Sequence, residues 1–423
     1  MNYLFHILLL IRYRLFLFGC CCLLFSSCDN EGYLNPIIPQ LEGETQRILI
    51  AYLAGDNSLS SEIEQKIAAL TIGFLTADYS QNRLFIYCDR KNASPQLMEI
   101  SAGTENPRQL LKTYTAQNSA SSNVMKQVLN DILNNYSATS YGLILFSHGS
   151  AWLPAGGLEN PYKRENLNQS GYEPARSPHC STRSVCTDGE DEMELADFAS
   201  ALPLPSHRKW DFILFEGCYM GSVEVAYELK DKTEAIIASP TEIVSPGMTE
   251  VYPSALSCLY QPTPELEKFA QSYFNVWNSK TGDYRSATIS VVRTEHLEEL
   301  ASLARAAFLR WEPDMEDISS LQCFNRNEWR LFFDLKEALL TANPALNTYV
   351  NGLWKEIVTY SAATPSFLPG LAHGFTIHTH SGLSCYVPQN EFLYINQGYT
   401  QTTWCGTVYP ITNSSERVPR FPL

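Results

Sequence analysis

The sequence predicts an α/β fold with a mostly parallel central sheet, and three observations support this prediction. Several short segments are near-continuous apolar runs, typical of parallel strands that are covered on both faces, and residues 47–54 (RILIAYLA) are the clearest of them. These runs alternate along the chain with segments of helical periodicity, as in βαβ units. Two of the runs end at His148-Gly149 and at Gly217-Cys218. Because ligands bind beyond the carboxyl ends of strands in such sheets, we expect the functional site at these two strand ends.

The elements follow one another in a regular order. Each predicted strand is an apolar run rich in β-branched and aromatic residues. The predicted strands are 47–54, 83–89, 141–147, 211–215, 234–239, 287–292 and 382–388, with a short edge hairpin at 96–101. Each predicted helix repeats apolar residues at helical spacing. The predicted helices are 122–133, 192–202, 220–229, 265–277, 296–311, 332–340 and 346–360. A further helix follows the first strand, and Ser58 or Ser60 is expected to cap it.

Composition limits the class of protein and its partners. At 423 residues the chain can hold one large domain or two ordinary ones, and its 45% hydrophobic content is that of a globular protein. A formal charge of −15 argues against nucleic acid as a partner, because phosphate neutralisation needs clustered Lys and Arg. We expect a monomer with its main domain at 44–280, while residues 281–423 pack on the same core.

The N-terminus predicts export and lipid anchoring. Residues 1–27 contain two arginines, no acidic residue and an apolar run too short to span a bilayer comfortably. Phe25-Ser26-Ser27-Cys28 resembles the lipobox of bacterial lipoproteins, in which cleavage leaves the acylated cysteine first. Residues 28–43 are then a polar tether. We therefore expect a lipid-anchored protein of the bacterial cell envelope; a plain signal peptide or an uncleaved anchor are the alternatives.

Cysteines and acidic residues give no strong signal for a disulfide framework or a metal. Eight cysteines follow Cys28 at irregular spacing, and only Cys180 and Cys186 are close enough in a loop to be an expected pair. An acidic cluster offers the oxygen ligands that Ca²⁺ takes, but its spacing differs from that of an EF-hand and also suits a solvated helix start. The cluster comprises Asp188, Glu190, Asp191, Glu192 and Glu194. We expect no cofactor.

His148 and Cys218 follow the third and fourth predicted strands of the main sheet. If these strands are parallel neighbours, about 5 Å apart, imidazole and thiol project into one crevice. This arrangement suits a Cys–His dyad, in which histidine handles the thiol proton and later protonates the leaving amine. A helix starting near Met220 would stabilise the thiolate, and the N–H groups of Gly149 and Cys218 would stabilise an oxyanion. Alone, each residue would favour a structural role, and the order of the two strand ends is the more specific signal.

Several segments resemble the clostripain family of cysteine peptidases, which belongs to the same clan as caspases, legumain and gingipains. They are ILIAYLAGDNSL at 48–59, YGLILFSHGSAW at 141–152, DFILFEGCYMGSVEVAYELKDKTEAIIASP at 211–240 and GLSCYVP at 382–388. The resemblance implies a caspase-like three-layer α/β sandwich, His148 as general base and Cys218 as nucleophile. It also implies hydrolysis of proteins or peptides after Arg or Lys, and self-cleavage between His148 and Cys218. The loop at 155–188, with four basic residues, accommodates such cleavage.

One departure from the family pattern concerns the substrate pocket. Where the family usually has Asp-Ala before the nucleophile, this chain has Glu216-Gly217. Glu216 keeps the charge for a basic P1 side chain, and Glu242 and Glu250 are candidate second acids, although acids on loops are often merely solvated. The alternative function is a catalytically weak lipid-anchored surface protein that uses the fold to bind a peptide or glycan.

Overall fold

The computed structural model describes residues 45–77, 80–162 and 185–409. The predicted signal peptide, the predicted lipidation site Cys28 and the whole of the predicted tether lie outside these residues, as does Cys180. So do the four basic residues of the loop at 155–188, so its self-cleavage stays a prediction. Within the described part of the chain, no helix is both long enough and apolar enough to span a membrane.

The described residues contain fifteen strands, which include a counterpart of every predicted strand and seven that were not predicted. They are β1 Arg47–Gly55, β2 Asn82–Arg90, β3 Gln96–Ile100, β4 Arg108–Thr113, β5 Ser140–Phe146, β6 Cys186–Asp188, β7 Asp191–Met193, β8 Phe212–Glu216, β9 Ala235–Ala238, β10 Thr288–Arg293, β11 Phe333–Asp334, β12 Val358–Ala363, β13 Ser366–Phe367, β14 Phe375–Thr376 and β15 Ser384–Cys385.

The helices lie mainly between the strands of the main sheet. They are α1 Ile63–Leu75, α2 Ser122–Leu133, α3 Leu195–Ala201, α4 Val223–Glu228, α5 Tyr252–Ala255, α6 Leu266–Asn278, α7 Leu297–Phe308, α8 Met315–Ser320, α9 Leu335–Ala342, α10 Asn347–Ile357, α11 Leu393–Tyr399 and α12 Thr403–Val408. Short 3₁₀ turns occur at Ser60–Glu62, Pro205–His207, Leu256–Tyr260, Gly282–Tyr284 and Pro344–Leu346.

The predicted mostly parallel sheet is confirmed. Nine strands pair in the order β12-β10-β9-β8-β5-β1-β2-β3-β4 within the described residues. The five central strands β9, β8, β5, β1 and β2 are parallel, and the strands at both edges are antiparallel. Strands β10 and β12 come from the part of the chain after residue 280, so that part completes the same sheet.

Side chains of β1 alternate between two hydrophobic cores, one on each face of the sheet. Ile48, Ile50 and Tyr52 belong to the core that α2, α3 and α4 cover. The intervening side chains of β1 belong to the core that α1, α5 and α6 cover. All nine residues of β1 are buried, which explains why its sequence after Arg47 is a continuous apolar run. The result is a three-layer sandwich, as predicted.

Two helix predictions are corrected, one at its start and one at its end. The helix predicted from Glu192 begins at Leu195, because Asp191–Met193 pairs with β6 in a hairpin. The helix predicted to reach Tyr360 ends at Ile357, where the chain continues as the edge strand β12. In both cases the pairing of strands overrides a helical pattern in the local sequence.

Candidate active site

Strand register brings the two candidate catalytic residues together. Phe146 is paired with Glu216 at the carboxyl ends of the parallel neighbours β5 and β8. His148 and Cys218 each lie two residues beyond this pair. Gly149 lies very close to the loop that carries Cys218. A Cβ atom built on Gly149 would lie 2.8 Å from the carbonyl oxygen of Cys218. A side chain at residue 149 would therefore push the two loops apart.

Cys218 lies on a loop rather than at a helix start. The helix predicted from Met220 begins only at Val223, with Ser222 as its N-cap. The expected stabilisation of the Cys218 thiolate by the first turn of this helix is therefore wrong. Backbone hydrogen bonds hold the loop instead: the N–H groups of Tyr219 and Gly221 donate to the carbonyls of Thr241 and Ser239, each at 2.9 Å.

The sulfur of Cys218 has a backbone hydrogen-bond donor. The N–H of Ile243 points at Sγ at 3.4 Å. A donor of this kind stabilises a thiolate more than a thiol, because the charged acceptor makes the stronger hydrogen bond. Cys218 is also partly exposed, whereas five of the other six cysteines in the described residues are buried. These two features distinguish it from a cysteine that merely fills the core.

His148 is held from the loop that follows β1. Its Nε2 atom lies 2.7 Å from the hydroxyl oxygen of Ser58. Ser58 or Ser60 was expected to cap α1, but the residue before α1 is Glu62. Ser58 contacts the histidine instead, and Ser60 accepts a hydrogen bond from the N–H of Lys91. The neighbouring Ser147 is buried, and its hydroxyl accepts a hydrogen bond from the N–H of Thr187 at 3.0 Å. The role of Ser147 is therefore structural.

A cavity of about 470 Å³ opens beside Cys218 and His148. Its apolar lining includes Leu59, Ile243, Val244, Tyr284, Leu368 and Leu371. Four acidic residues and one basic residue also line it, namely Glu62, Glu216, Glu242, Asp283 and Arg326. A cavity with an apolar wall and an excess of acid suits a long side chain that ends in a positive charge.

Glu216 lines the cavity, but its carboxylate is already fully engaged. Oε1 lies 2.6 Å from Nζ of Lys66, and it also accepts a hydrogen bond from the N–H of Met248 at 2.6 Å. Oε2 accepts a hydrogen bond from the hydroxyl of Tyr252 at 2.8 Å. The side chains of Lys66 and Glu216 are 0% and 1% exposed. The charge expected to meet a substrate is thus neutralised by a cation of the protein itself.

The two candidate second acids differ in position. Glu242 lines the cavity, but its carboxylate forms a two-pronged ion pair with Arg326 at 2.6 and 3.1 Å. Glu250 is not in the lining; it is exposed and pairs with Lys280 at 2.7 Å. Neither residue offers the cavity an uncompensated negative charge.

The two remaining acidic residues of the cavity, Asp283 and Glu62, were not predicted from the sequence to belong to a site. The carboxylate of Asp283 accepts a hydrogen bond from the N–H of Gly370 at 2.6 Å, and that of Glu62 accepts one from the hydroxyl of Ser245 at 2.7 Å. Both are half-buried, and neither has a cationic partner among the described residues. They lie on short 3₁₀ turns far apart in sequence, so no local motif marks them as parts of one site.

The acidic cluster at 188–194 lies on the β6–β7 hairpin and at the start of α3. Within the described ranges, no group of three or more His, Cys, Asp or Glu residues has a geometry that would hold a metal ion. Cys186 is buried. Since its expected partner Cys180 lies outside the described residues, their disulfide stays a prediction.

The comparisons with known proteins agree with this fold. The model of the clostripain family (peptidase C11) matches residues 51–165 and 168–360. An inactive zymogen C11 protease from Parabacteroides distasonis is 28% identical, with a TM-score of 0.72 over 87% of this chain and 99% of that one. A secreted C11 cysteine protease from Bacteroides thetaiotaomicron, in complex with an irreversible peptide inhibitor, is 26% identical, with a TM-score of 0.70 over 86% and 98%. No match was found among curated proteins.

These findings define the class first. A cysteine at the end of one parallel strand, on a fold shared with solved cysteine proteases, makes this protein a cysteine peptidase. The family follows from the extent of the match, which covers well over half of the chain: the chain belongs to the clostripain family.

Proposed function

We propose that the protein is an endopeptidase in which Cys218 is the nucleophile and His148 the general base, with specificity for Arg or Lys at P1. The observation that carries the proposal is the register of β5 and β8, which sets His148 and Cys218 at equivalent positions beyond paired residues. The acidic cavity beside them carries the specificity. The substrates are proteins or peptides, reached from a membrane to which Cys28 would anchor the chain.

The reaction follows from these groups. Sγ of Cys218, as a thiolate, attacks the carbonyl carbon of the scissile peptide bond and forms a C–S bond. The oxyanion is stabilised by the backbone N–H groups of Gly149 and Cys218. The imidazolium of His148 gives its proton to the leaving amine as the C–N bond breaks. Water then attacks the thioester and His148 accepts a proton from that water. The C–S bond breaks, which releases the acid product and regenerates the Cys218 thiolate.

The P1 preference rests on Asp283 and Glu62 rather than on Glu216. The apolar lining would cover the methylene groups of a Lys or Arg side chain, and these two carboxylates would receive its charge. Because Lys66 neutralises Glu216, that residue shapes the cavity without adding net charge. Arg326 likewise neutralises Glu242.

Peptides that differ only at P1 test this assignment. We expect Arg and Lys substrates to be cleaved at least about 100-fold better, in kcat/KM, than the uncharged norleucine analogue. Asp283→Asn should lower kcat/KM for the basic substrates by about 10- to 100-fold, as expected for a hydrogen bond to a charged group. The rate with norleucine should stay nearly constant. Glu62→Gln should act in the same direction.

A matched control removes an equal charge elsewhere. Glu391 is exposed and lies outside the cavity lining, so Glu391→Gln should leave both classes of substrate unaffected. Equal cleavage of Arg and norleucine peptides by the unmodified protein would overturn the P1 assignment. A loss in Asp283→Asn that is the same for both substrates would assign Asp283 a structural role instead.

A further inference from the structure

The loop after β1 brings a hydroxyl group to the candidate catalytic histidine. Ser58 lies three residues beyond the end of β1, and its Oγ is 2.7 Å from Nε2 of His148. Ser58 is exposed, so this contact does not fill the core. In a Cys–His dyad only one imidazole nitrogen can face the sulfur, and the hydrogen bond made by the other nitrogen decides which one does.

The backbone on which Ser58 lies is held in place by the side chain of its neighbour Asn57. Nδ2 of Asn57 donates hydrogen bonds to the carbonyl of Ala54 at 3.0 Å and to the carbonyl of Thr187 at 3.1 Å. Oδ1 of Asn57 accepts a hydrogen bond from the N–H of Leu59 at 2.8 Å. Asn57 is 6% exposed, so these bonds are largely shielded from water.

Thr187, which bonds Asn57, also holds the segment that carries His148. The N–H of Thr187 on β6 donates to the hydroxyl of Ser147, the residue before His148, at 3.0 Å. Thr187 thus bonds both to the residue before Ser58 and to the residue before His148. The distance between Ser58 and His148 is set by a framework of buried hydrogen bonds rather than by the contact alone.

We propose that Ser58 is a positioning residue that holds His148 through Nε2, so that Nδ1 is the nitrogen serving Cys218. The inference rests on the proposed dyad. When His148 is an imidazolium, both ring nitrogens are donors, so the hydroxyl oxygen of Ser58 accepts the Nε2–H bond and turns its own proton toward water. When His148 gives its Nδ1 proton to the leaving amine, the Nε2–H bond keeps the ring in place for the next step.

Three substitutions of Ser58 separate positioning from a merely structural role. Ser58→Ala removes the acceptor, and we expect kcat to fall by about 10- to 100-fold with KM nearly unchanged. The imidazolium loses a partner, so the alkaline limb of the kcat/KM profile should move to lower pH. Ser58→Asp adds a negative charge beside the imidazolium and should move that limb to higher pH. Ser58→Asn, whose amide oxygen is an acceptor, should restore much of kcat.

The matched control is Ser60→Ala, which removes a hydroxyl group from the same segment of the chain. The hydroxyl of Ser60 accepts a hydrogen bond from the N–H of Lys91 and does not contact His148. It should leave kcat and the pH profile as in the unmodified protein. Identical kcat and superimposable pH profiles for Ser58→Ala and Ser60→Ala would overturn the inference. The inference would also be overturned if Ser58→Ala lowered kcat without shifting the alkaline limb of the kcat/KM profile and Ser58→Asn failed to restore kcat. Full activity in Cys218→Ala would instead overturn the dyad itself, which keeps the two failures distinct.

Discussion

Replacing His148 with alanine is expected to lower kcat/KM for an Arg-terminated peptide substrate by about 100-fold or more. The substitution removes the group that takes the thiol proton and returns a proton to the leaving amine. His148 is only partly buried and lies on a loop, so its loss should leave the fold intact. Steady-state kinetics and far-ultraviolet circular dichroism on the same sample measure the two effects separately.

The pH dependence of that variant adds a second criterion. Without the imidazole, activity should rise with pH as hydroxide and the thiol's own ionisation replace the lost base, in place of a profile that falls again at alkaline pH. His207→Ala is the matched control, since His207 lies on the 3₁₀ turn before β8 and outside the cavity lining. A His148→Ala protein that retains at least half of the activity would contradict the assignment.

Replacing Lys66 with methionine is expected to lower the free energy of unfolding by about 3–5 kcal/mol, because it leaves the Glu216 carboxylate buried without its counter-charge. The side chain of Lys66 is fully buried, and its Nζ lies 2.6 Å from Glu216, 2.8 Å from the hydroxyl of Thr249 and 4.2 Å from the centre of the Phe146 ring. Equilibrium urea denaturation monitored by tryptophan fluorescence measures the change.

The double variant Lys66→Met/Glu216→Gln tests the cause of that loss. If the cost arises from the unpaired carboxylate, removing the charge should recover most of the lost stability, since the amide oxygen of Gln can still accept the hydrogen bond from the N–H of Met248 while its NH₂ group donates to the hydroxyl of Tyr252. A double variant as unstable as Lys66→Met would show that the loss comes from packing. A change below about 1 kcal/mol in the single variant would contradict the ion-pair account.

Much of the fold could be predicted because local sequence and tertiary position agree. Strand β1 is buried throughout and apolar after Arg47, and α2 has one apolar face, so both elements could be predicted from local sequence without knowledge of their neighbours. His148 and Cys218 could be paired from the sequence because both follow strands that parallel topology aligns at one edge. The helix after Cys218 began later than predicted because backbone bonds to Thr241 and Ser239 hold the preceding loop.

The charges of the cavity could not be predicted in the same way, since they depend on contacts between distant segments. Lys66 and Glu216 are separated by 150 residues, and Glu242 and Arg326 by 84. Nothing local distinguishes these paired acids from Asp283 and Glu62, which lack cationic partners among the described residues. Likewise, the sequence around Ser58 is typical of a helix N-cap. Its contact with His148 depends on the three-dimensional fold and has no local signal in the sequence.

Hydrolysis of Arg- and Lys-terminated fluorogenic peptides by the unmodified protein, Cys218→Ala and Cys258→Ala tests the central claim most directly. Cys218 and Cys258 are the two partly exposed cysteines among the described residues, so the second variant controls for loss of an accessible thiol. The dyad predicts that Cys218→Ala loses activity by at least about 10⁴-fold while Cys258→Ala retains it. Equal rates in Cys218→Ala and in the unmodified protein would contradict the assignment of Cys218 as the nucleophile.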